Sequence, residues 1–231
     1  EVAHVIAGAL ARGADRLDTE EVVAVLAAYG VAMPETLRCP AAGATAAAEM
    51  IGYPVAVKAE HRHLGRSVRA GVALDLGDAD DVVDALAIMQ DAIGADADMV
   101  VVQAMVAPGL DLRIRSTSDD RLGPLVAIGL GSSTVDLVSD EASRLAPLSA
   151  AGATALLAGS RAAAALEHAG LDPAAIIDTL LRVAQLVGDH PEITTADLNP
   201  IIVSPDGAPT TDATIEIAPA RPTPGPLRRL E

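Results

Sequence analysis

The sequence predicts an α+β (α/β) fold built as two lobes. Three observations predict it. Over the first hundred residues, helical periodicity alternates with short apolar runs bounded by Gly and Pro. Between 110 and 130, polar and apolar residues alternate as in a meander of antiparallel strands. Ala-rich helical stretches then precede a last pair of strands joined by Pro205-Asp206-Gly207. With 231 residues the chain accommodates one large or two small domains, and 51% apolar residues supply a core.

The elements follow in order. After an Ala-rich start, Asp18 with Glu20 and Glu21 offers an N-cap and first-turn acids. Val22, Val23, Leu26 and Tyr29 then recur at helical spacing until Gly30. Pro40 and Ala41 are expected to open a second helix running to Ile51, and Gly52-Tyr53-Pro54 turns it into a strand, Val55 to Ala59. Val72 to Leu76 reads as a strand, Asp78 to Ile93 as an amphipathic helix, and Met99 to Met105 as a buried strand. Leu110 to Ser116 alternates, Asp119-Asp120 gives a turn, and Leu125 to Leu130 is apolar again. Helices are expected over 149–157 and 160–169. A third is expected from Asp172-Pro173 to about Val187, with Asp as N-cap and Pro at N1. The last strands are placed at Asp197 to Val203 and Thr210 to Thr214. The domain reading is a preceding extension at 1–16, a small lobe at 17–101, a large lobe at 102–217 and a Pro-rich tail at 218–231.

Composition removes several function classes. The formal charge of −16 repels a polyanion, and no Lys/Arg stripe or aromatic platform offsets it, since Phe and Trp are absent. Nucleic acid is therefore excluded as a partner. The lone Cys39 forms no intramolecular disulfide and no multi-Cys metal site; it is expected as a small core or loop residue, and a reducing, cytoplasmic setting is the default. No run approaches roughly eighteen uninterrupted apolar residues, so no membrane partner is expected. The chain opens on Glu1 rather than Met, which leads to the expectation that it is a piece of something longer.

Two distant segments carry the chemistry. Gly52-Tyr53-Pro54-Val55-Ala56-Val57-Lys58 ends an apolar strand on a lysine, the chain's single one, from which an ammonium can reach phosphate oxygens. Ala196-Asp197-Leu198-Asn199-Pro200 and Thr211-Asp212-Ala213 bring an amide oxygen and a carboxylate onto two adjacent strands, both hard ligands suited to Mg²⁺ with nucleotide phosphates. Plainer readings stand beside these. Lys58 as a strand-end charge, Asn199 before Pro200 as turn chemistry, Asp212 as a hairpin carboxylate, Gly129 and Gly131 as turn glycines, and Arg144 as an ion-pair partner all remain open.

Taken together, Tyr29-Gly30-Val31, the Gly52–Lys58 run, Gly129-Leu130-Gly131, Arg144-Leu145-Ala146-Pro147-Leu148, Asp197-Leu198-Asn199-Pro200, Asp206-Gly207 and Asp212-Ala213 resemble the ATP-grasp domain of ADP-forming acyl-CoA synthetases, relatives of the succinyl-CoA synthetase β subunit. The resemblance runs in order from Leu17 to Ile217. The tail Pro226-Leu227-Arg228-Arg229-Leu230 also resembles the close of this domain in chains that carry a GNAT acetyltransferase module.

The resemblance implies two lobes clasping ATP or ADP with Mg²⁺, and CoA bound by CoA-binding and ligase domains outside this chain. It places Lys58 on the α or β phosphate. The backbone of Val102, Gln103, Ala104 and Met105 would form the hinge at the adenine edge, and Asp111 would meet the ribose hydroxyls. Gly129 and Gly131 would lie at the phosphate-approaching turn, Arg144 at phosphate, and Asn199 and Asp212 on the metal. The implied reaction moves phosphate between an acyl phosphate and ATP through phosphohistidine, coupled to thioester formation.

Departures from the family pattern accompany it. Gly65 stands where the relay histidine is expected, with His61 and His63 a few residues upstream. Val23 replaces a lysine, Ser132 a glycine, and Asp136 a glutamate. Two readings follow: an acid–thiol ligase domain, or a degenerate module with a regulatory or structural role for an attached acetyltransferase.

Overall fold

The computed structural model describes residues 1–60, 71–119, 121–131 and 141–220. The expectations at His61, His63, Gly65, Asp120, Ser132, Asp136 and Pro226–Leu230 lie outside these. The described chain contains α1 (Val2–Ala11), α2 (Thr19–Ala28), β1 (Thr36–Pro40), α3 (Ala44–Ile51), β2 (Val55–Ala59), β3 (Val72–Leu76), α4 (Ala79–Ile93), β4 (Met99–Ala104), β5 (Leu110–Asp119), β6 (Gly123–Leu130), β7 (Ala142–Leu145), α5 (Ala150–Ala158), α6 (Arg161–Ala169), α7 (Ala174–Asp189), β8 (Ile193–Val203) and β9 (Ala213–Ile217). They form two compact units, Met33–Ala107 and the combination of Glu1–Ala32 with Pro108–Glu231.

The unit Met33–Ala107 is an antiparallel sheet of order β1-β4-β2-β3. Alternation along its strands separates two faces. Val55, Val57, Val100 and Val102 pack with Ala44, Ala47 and Ala48 of α3 and Val82, Ala85 and Met89 of α4. Cys39 packs against the same core, and burial raises its thiol pKa, in line with the structural role expected of it. By register the opposite face carries Thr36, Arg38, Ala56, Lys58, Val101 and Gln103. Helix α4 starts on Asp78, whose carboxylate accepts from the Asp81 N–H, with Asp80 and Asp81 in the first turn.

The other unit is built on a sheet of order β7-β6-β5-β8-β9, again antiparallel. Leu112, Ile114, Val126, Ile128, Leu198 and Ile201 are fully buried on one face. Helix α7, with Ile176, Leu180, Val183 and Val187 buried, packs on β5, β6 and β8. Helix α2 is closed by a capping box in which Asp18 accepts from the Glu21 N–H and Glu21 from the Asp18 N–H. Its C-terminal end meets α7: Arg182 Nη1 donates to the Tyr29 carbonyl at 3.0 Å, and Tyr29 Oη donates to Asp189 at 2.8 Å. The φ of Gly30 is +70°, which favours glycine, and a Cβ there would fall 2.2 Å from Arg182 Nη1 and push that side chain off the Tyr29 carbonyl.

Several boundaries differ from the sequence reading. Residues 17–32, expected in the small lobe, cluster with the C-terminal part. Leu17 N–H donates to the Ile215 carbonyl at 3.0 Å and Ile217 N–H to the Asp15 carbonyl at 2.8 Å, while Arg16 pairs with Glu216. The stretch expected to open a helix at Pro40 is instead the end of strand β1, and α3 begins at Ala44. At α7, Pro173 is the N-cap and the Asp172 carboxylate accepts from the Ala174 N–H. Strand β9 begins at Ala213 rather than Thr210, because Thr210 N–H is drawn to the Ala32 carbonyl and Thr211 N–H to the Pro200 carbonyl. Helix α1 and the edge strand β7 add elements where no helix and no strand were read.

Candidate functional site

Each unit has a polar sheet face of its own. In the Met33–Ala107 unit, Lys58 lies at the end of β2 and is only 7% exposed. Its Nζ donates to Gln103 Oε1 at 2.8 Å. Gln103 Nε2 in turn donates to Thr36 Oγ1 at 2.9 Å, and the Thr36 hydroxyl donates to the Pro34 carbonyl at 2.8 Å. Beside them, Arg38 holds Glu60 through Nε at 2.5 Å and Nη2 at 2.9 Å.

The expected hinge is mostly engaged elsewhere. Val102 and Gln103 pair on both sides with β1 and β2. The Ala104 N–H donates to Glu35 and the Met105 N–H to Pro54. Among the described residues, Val106 and Ala107 make no backbone hydrogen bond as donors. The first backbone N–H groups of this stretch without a backbone partner among the described residues are thus those of Val106 and Ala107.

In the other unit, Arg113, Arg115, Ala127, Gly129 and Asp197 share the face away from the helices, as the β5–β6 and β5–β8 registers require. Asp197 accepts a bidentate pair from Arg113, Nε to Oδ1 at 2.8 Å and Nη2 to Oδ2 at 2.5 Å, with Glu141 3.7 Å from Arg113 Nη1. Arg115 Nε is buried with no hydrogen-bond partner among the described residues. Asp111 on β5 is half-buried, and desolvation raises its pKa above the ordinary 3.8.

Asn199 and Asp212 do come together. Leu112 faces Ile201 and Ile114 faces Leu198, so two residues of β8, Asn199 and Pro200, stand opposite one residue of β5. This is a β-bulge, which bends the strand and re-aims its side chains. Across from it, Asn199 N–H donates to the Asp212 carbonyl at 2.9 Å, setting the two residues side by side at the β8–β9 pairing. Their amide oxygen and carboxylate are a donor set suited to a small hard cation such as Mg²⁺, which takes one or two protein oxygens and completes its shell with phosphates and water.

Two expected site residues read differently in place. Arg144 pairs in register with Val126, a core residue, so it lies on the helix-covered side of the edge strand β7 and is exposed there, off the Arg113–Asp197 face. Gly131 serves packing. Its N–H donates to the Asp111 carbonyl at 2.8 Å, and a Cβ would meet the Leu112 carbonyl oxygen at 2.8 Å. Gly129 is buried opposite Arg113. Val23, where a lysine was expected, is half-buried on α2.

A family profile described as the ATP-grasp domain matches residues 8–217. The chain belongs to the ATP-grasp domain family. The resemblance and the fold class expected from the sequence are thereby met. The ATP-grasp chain is 32% identical over 222 residues to acetate–CoA ligase [ADP-forming] I of Archaeoglobus fulgidus, covering 92% of this chain and 32% of that protein. It is 31% identical over 229 residues to the β subunit of acetate–CoA ligase [ADP-forming] II of Pyrococcus furiosus, covering 93% of this chain and 97% of that one. Among solved structures, the dinucleotide-forming acetyl-coenzyme A synthetase 1 of Ca. Korarchaeum cryptofilum, in complex with coenzyme A, Ca-AMPCP and HgCl⁺, superposes with a TM-score of 0.85 at 26% identity. That match covers 94% of this chain and 100% of the other. The ATP-grasp chain thus spans about a third of the Archaeoglobus enzyme and nearly all of the Pyrococcus subunit. Among the described residues, no helix is long and apolar enough to cross a membrane, and no three His, Cys, Asp or Glu side chains converge on one point.

Proposed function

We propose that this ATP-grasp domain binds ATP or ADP with Mg²⁺ and handles the phosphoryl group in an ADP-forming acid–CoA ligase. The observation that carries the proposal is the β8 bulge that sets Asn199 beside Asp212, on a chain that also buries its one lysine at a strand end. Lys58 takes a nucleotide phosphate, Asp111 the ribose hydroxyls, and Asn199 and Asp212 hold the metal. The metal supplies charge neutralisation at the phosphates, which is the main electrostatic requirement of phosphoryl transfer.

The amides of Val106 and Ala107 meet the adenine edge. Arg115 adds positive charge on the Asp197 face. Arg144, on the other side of β7 by register and exposed, is given no part in holding the nucleotide. CoA and the acid belong to CoA-binding and ligase domains outside this chain, on the same or a partner polypeptide, as the name of the Pyrococcus β subunit supports. A cytoplasmic setting fits the lone cysteine, and attachment to a GNAT module rests on the tail resemblance alone.

The test is ADP release from ATP by the complete protein, supplied with CoA and a panel of short carboxylic acids. ADP release that requires both CoA and one of the acids, and that falls at least about 100-fold in Asp212→Ala, is the expected result. ADP release independent of CoA and acid, or equal in Asp212→Ala, contradicts the proposal.

A further inference from the structure

We infer that Gln103 is a positioning residue for Lys58, holding the ammonium at the phosphate through a neutral acceptor. The inference rests on the phosphate role given to Lys58 above and assigns the Gln103 side chain a task distinct from that of its backbone.

The polarity of the relay is forced at both ends. An ammonium has only donors, so the Gln103 amide must turn its oxygen toward Lys58 Nζ, 2.8 Å away. The Pro34 carbonyl has only lone pairs, so the Thr36 hydroxyl, 2.8 Å away, spends its proton there and leaves its oxygen to accept from Gln103 Nε2 at 2.9 Å. A flipped amide would oppose two donors at Lys58. Gln103 is therefore locked in one orientation, and it is 3% exposed on the central strand β4, paired on both sides, where it has little room to reorient.

The chemistry of the acceptor matters as much as its position. Burying an ammonium without a hydrogen-bond acceptor is costly, so an acceptor is required at this depth. A carboxylate in that place would form an ion pair and compete with the phosphate for the lysine. A neutral amide satisfies one N–H without adding a negative charge of its own beside the ammonium. Preorganisation of this kind raises affinity by removing the entropy of ordering a long side chain at the moment of binding.

Because Lys58 is the single lysine of the chain, lysine-selective ¹³C,¹⁵N labelling yields one lysine side-chain signal. The experiment compares wild type, Gln103→Leu, Thr36→Val and Lys58→Ala, measuring affinity for Mg-ADP and for adenosine together with the Lys58 signal in the first three. For Gln103→Leu, ADP affinity falls about tenfold, adenosine affinity is unchanged, and the lysine signal moves before any ligand is added. Thr36→Val gives the same pattern, with a smaller loss of ADP affinity, a smaller shift of the lysine signal and adenosine affinity again unchanged, and it carries the test if Gln103→Leu does not fold. An equal loss for ADP and adenosine would make Gln103 a base-reading residue and overturn the inference, as would an unmoved lysine signal. If Lys58→Ala leaves ADP affinity intact, the phosphate role of Lys58 itself fails.

Discussion

Gly131→Ala tests whether the glycine after β6 is there for packing. A Cβ at this position falls 2.8 Å from the Leu112 carbonyl oxygen and 3.0 Å from the carbonyl carbons of Asp111 and Leu112. Ordinary contact begins near 3.4 Å, and all three atoms are backbone in the middle of a five-stranded sheet, so no side chain can rotate away. The strand must separate by about half an ångström, which costs about 1–3 kcal/mol as overpacking. The same movement loosens the 2.8 Å hydrogen bond from Gly131 to Asp111, about 1 kcal/mol more. Together these give roughly 2–4 kcal/mol, or a fall in Tm on the order of 4–16 °C for a chain of this size. Gly188→Ala is the control. Gly188 lies in α7, nothing stands within 4 Å of its added Cβ, and helix propensity alone favours alanine by about 1 kcal/mol. Thermal unfolding followed by far-UV circular dichroism should show Tm falling for the first variant and holding or rising for the second. An unchanged Tm for Gly131→Ala would refute the reasoning and return this glycine to the role of a phosphate-approaching turn.

Two further predictions concern ionisation. Burial raises the Asp111 pKa, so the folded state holds this proton more tightly than the unfolded chain. The stabilisation this gives is complete below pH 3.8 and is lost as pH rises through the folded value. Asp111→Asn should therefore raise Tm at neutral pH, lose that gain below pH 3.8, and weaken nucleotide binding; a lower Tm at neutral pH would contradict the burial argument. Tyr29 is pushed up to about 12 by burial first and then by its hydrogen bond to Asp189 and the charge of that carboxylate, and Tyr53 is also raised, mainly by desolvation. A near-ultraviolet absorbance titration should therefore show little phenolate at pH 10, and Asp189→Asn should bring one transition down. The Tyr29 contribution to stability is complete below pH 10 and disappears as pH rises through about 12.

The long periodic elements were legible. The Asp18 and Asp78 caps, the α4 and α7 faces and the β2 strand ending on Lys58 follow from residue type and spacing. The bulge was half legible, since Asn199-Pro200 signals an interruption without saying which partner strand it faces. Other features depend on pairing that no local pattern encodes. Strand β1 is a short edge strand ending in proline, and it counts as a strand because β4 lies beside it. The face on which Arg144 falls is set by the β6–β7 register. Residues 17–32 belong with the C-terminal unit because of hydrogen bonds to a strand some two hundred positions away. The family resemblance points only to the backbone of Gln103, while its side chain makes the contact to Lys58, which follows from β2 and β4 being neighbours. The Arg113 and Arg115 face, in contrast, was available from the alternation between 110 and 116 alone.

Calorimetric titration of this chain with ADP, with and without Mg²⁺, in wild type, Lys58→Ala and Asp212→Ala, tests the central claim most directly. The account predicts saturable, Mg-dependent binding, weakened at least about tenfold by Lys58→Ala and made independent of Mg²⁺ by Asp212→Ala. Absence of binding in the wild-type chain, or binding indifferent to both substitutions, would contradict it and leave an ATP-grasp fold retained for structure or regulation.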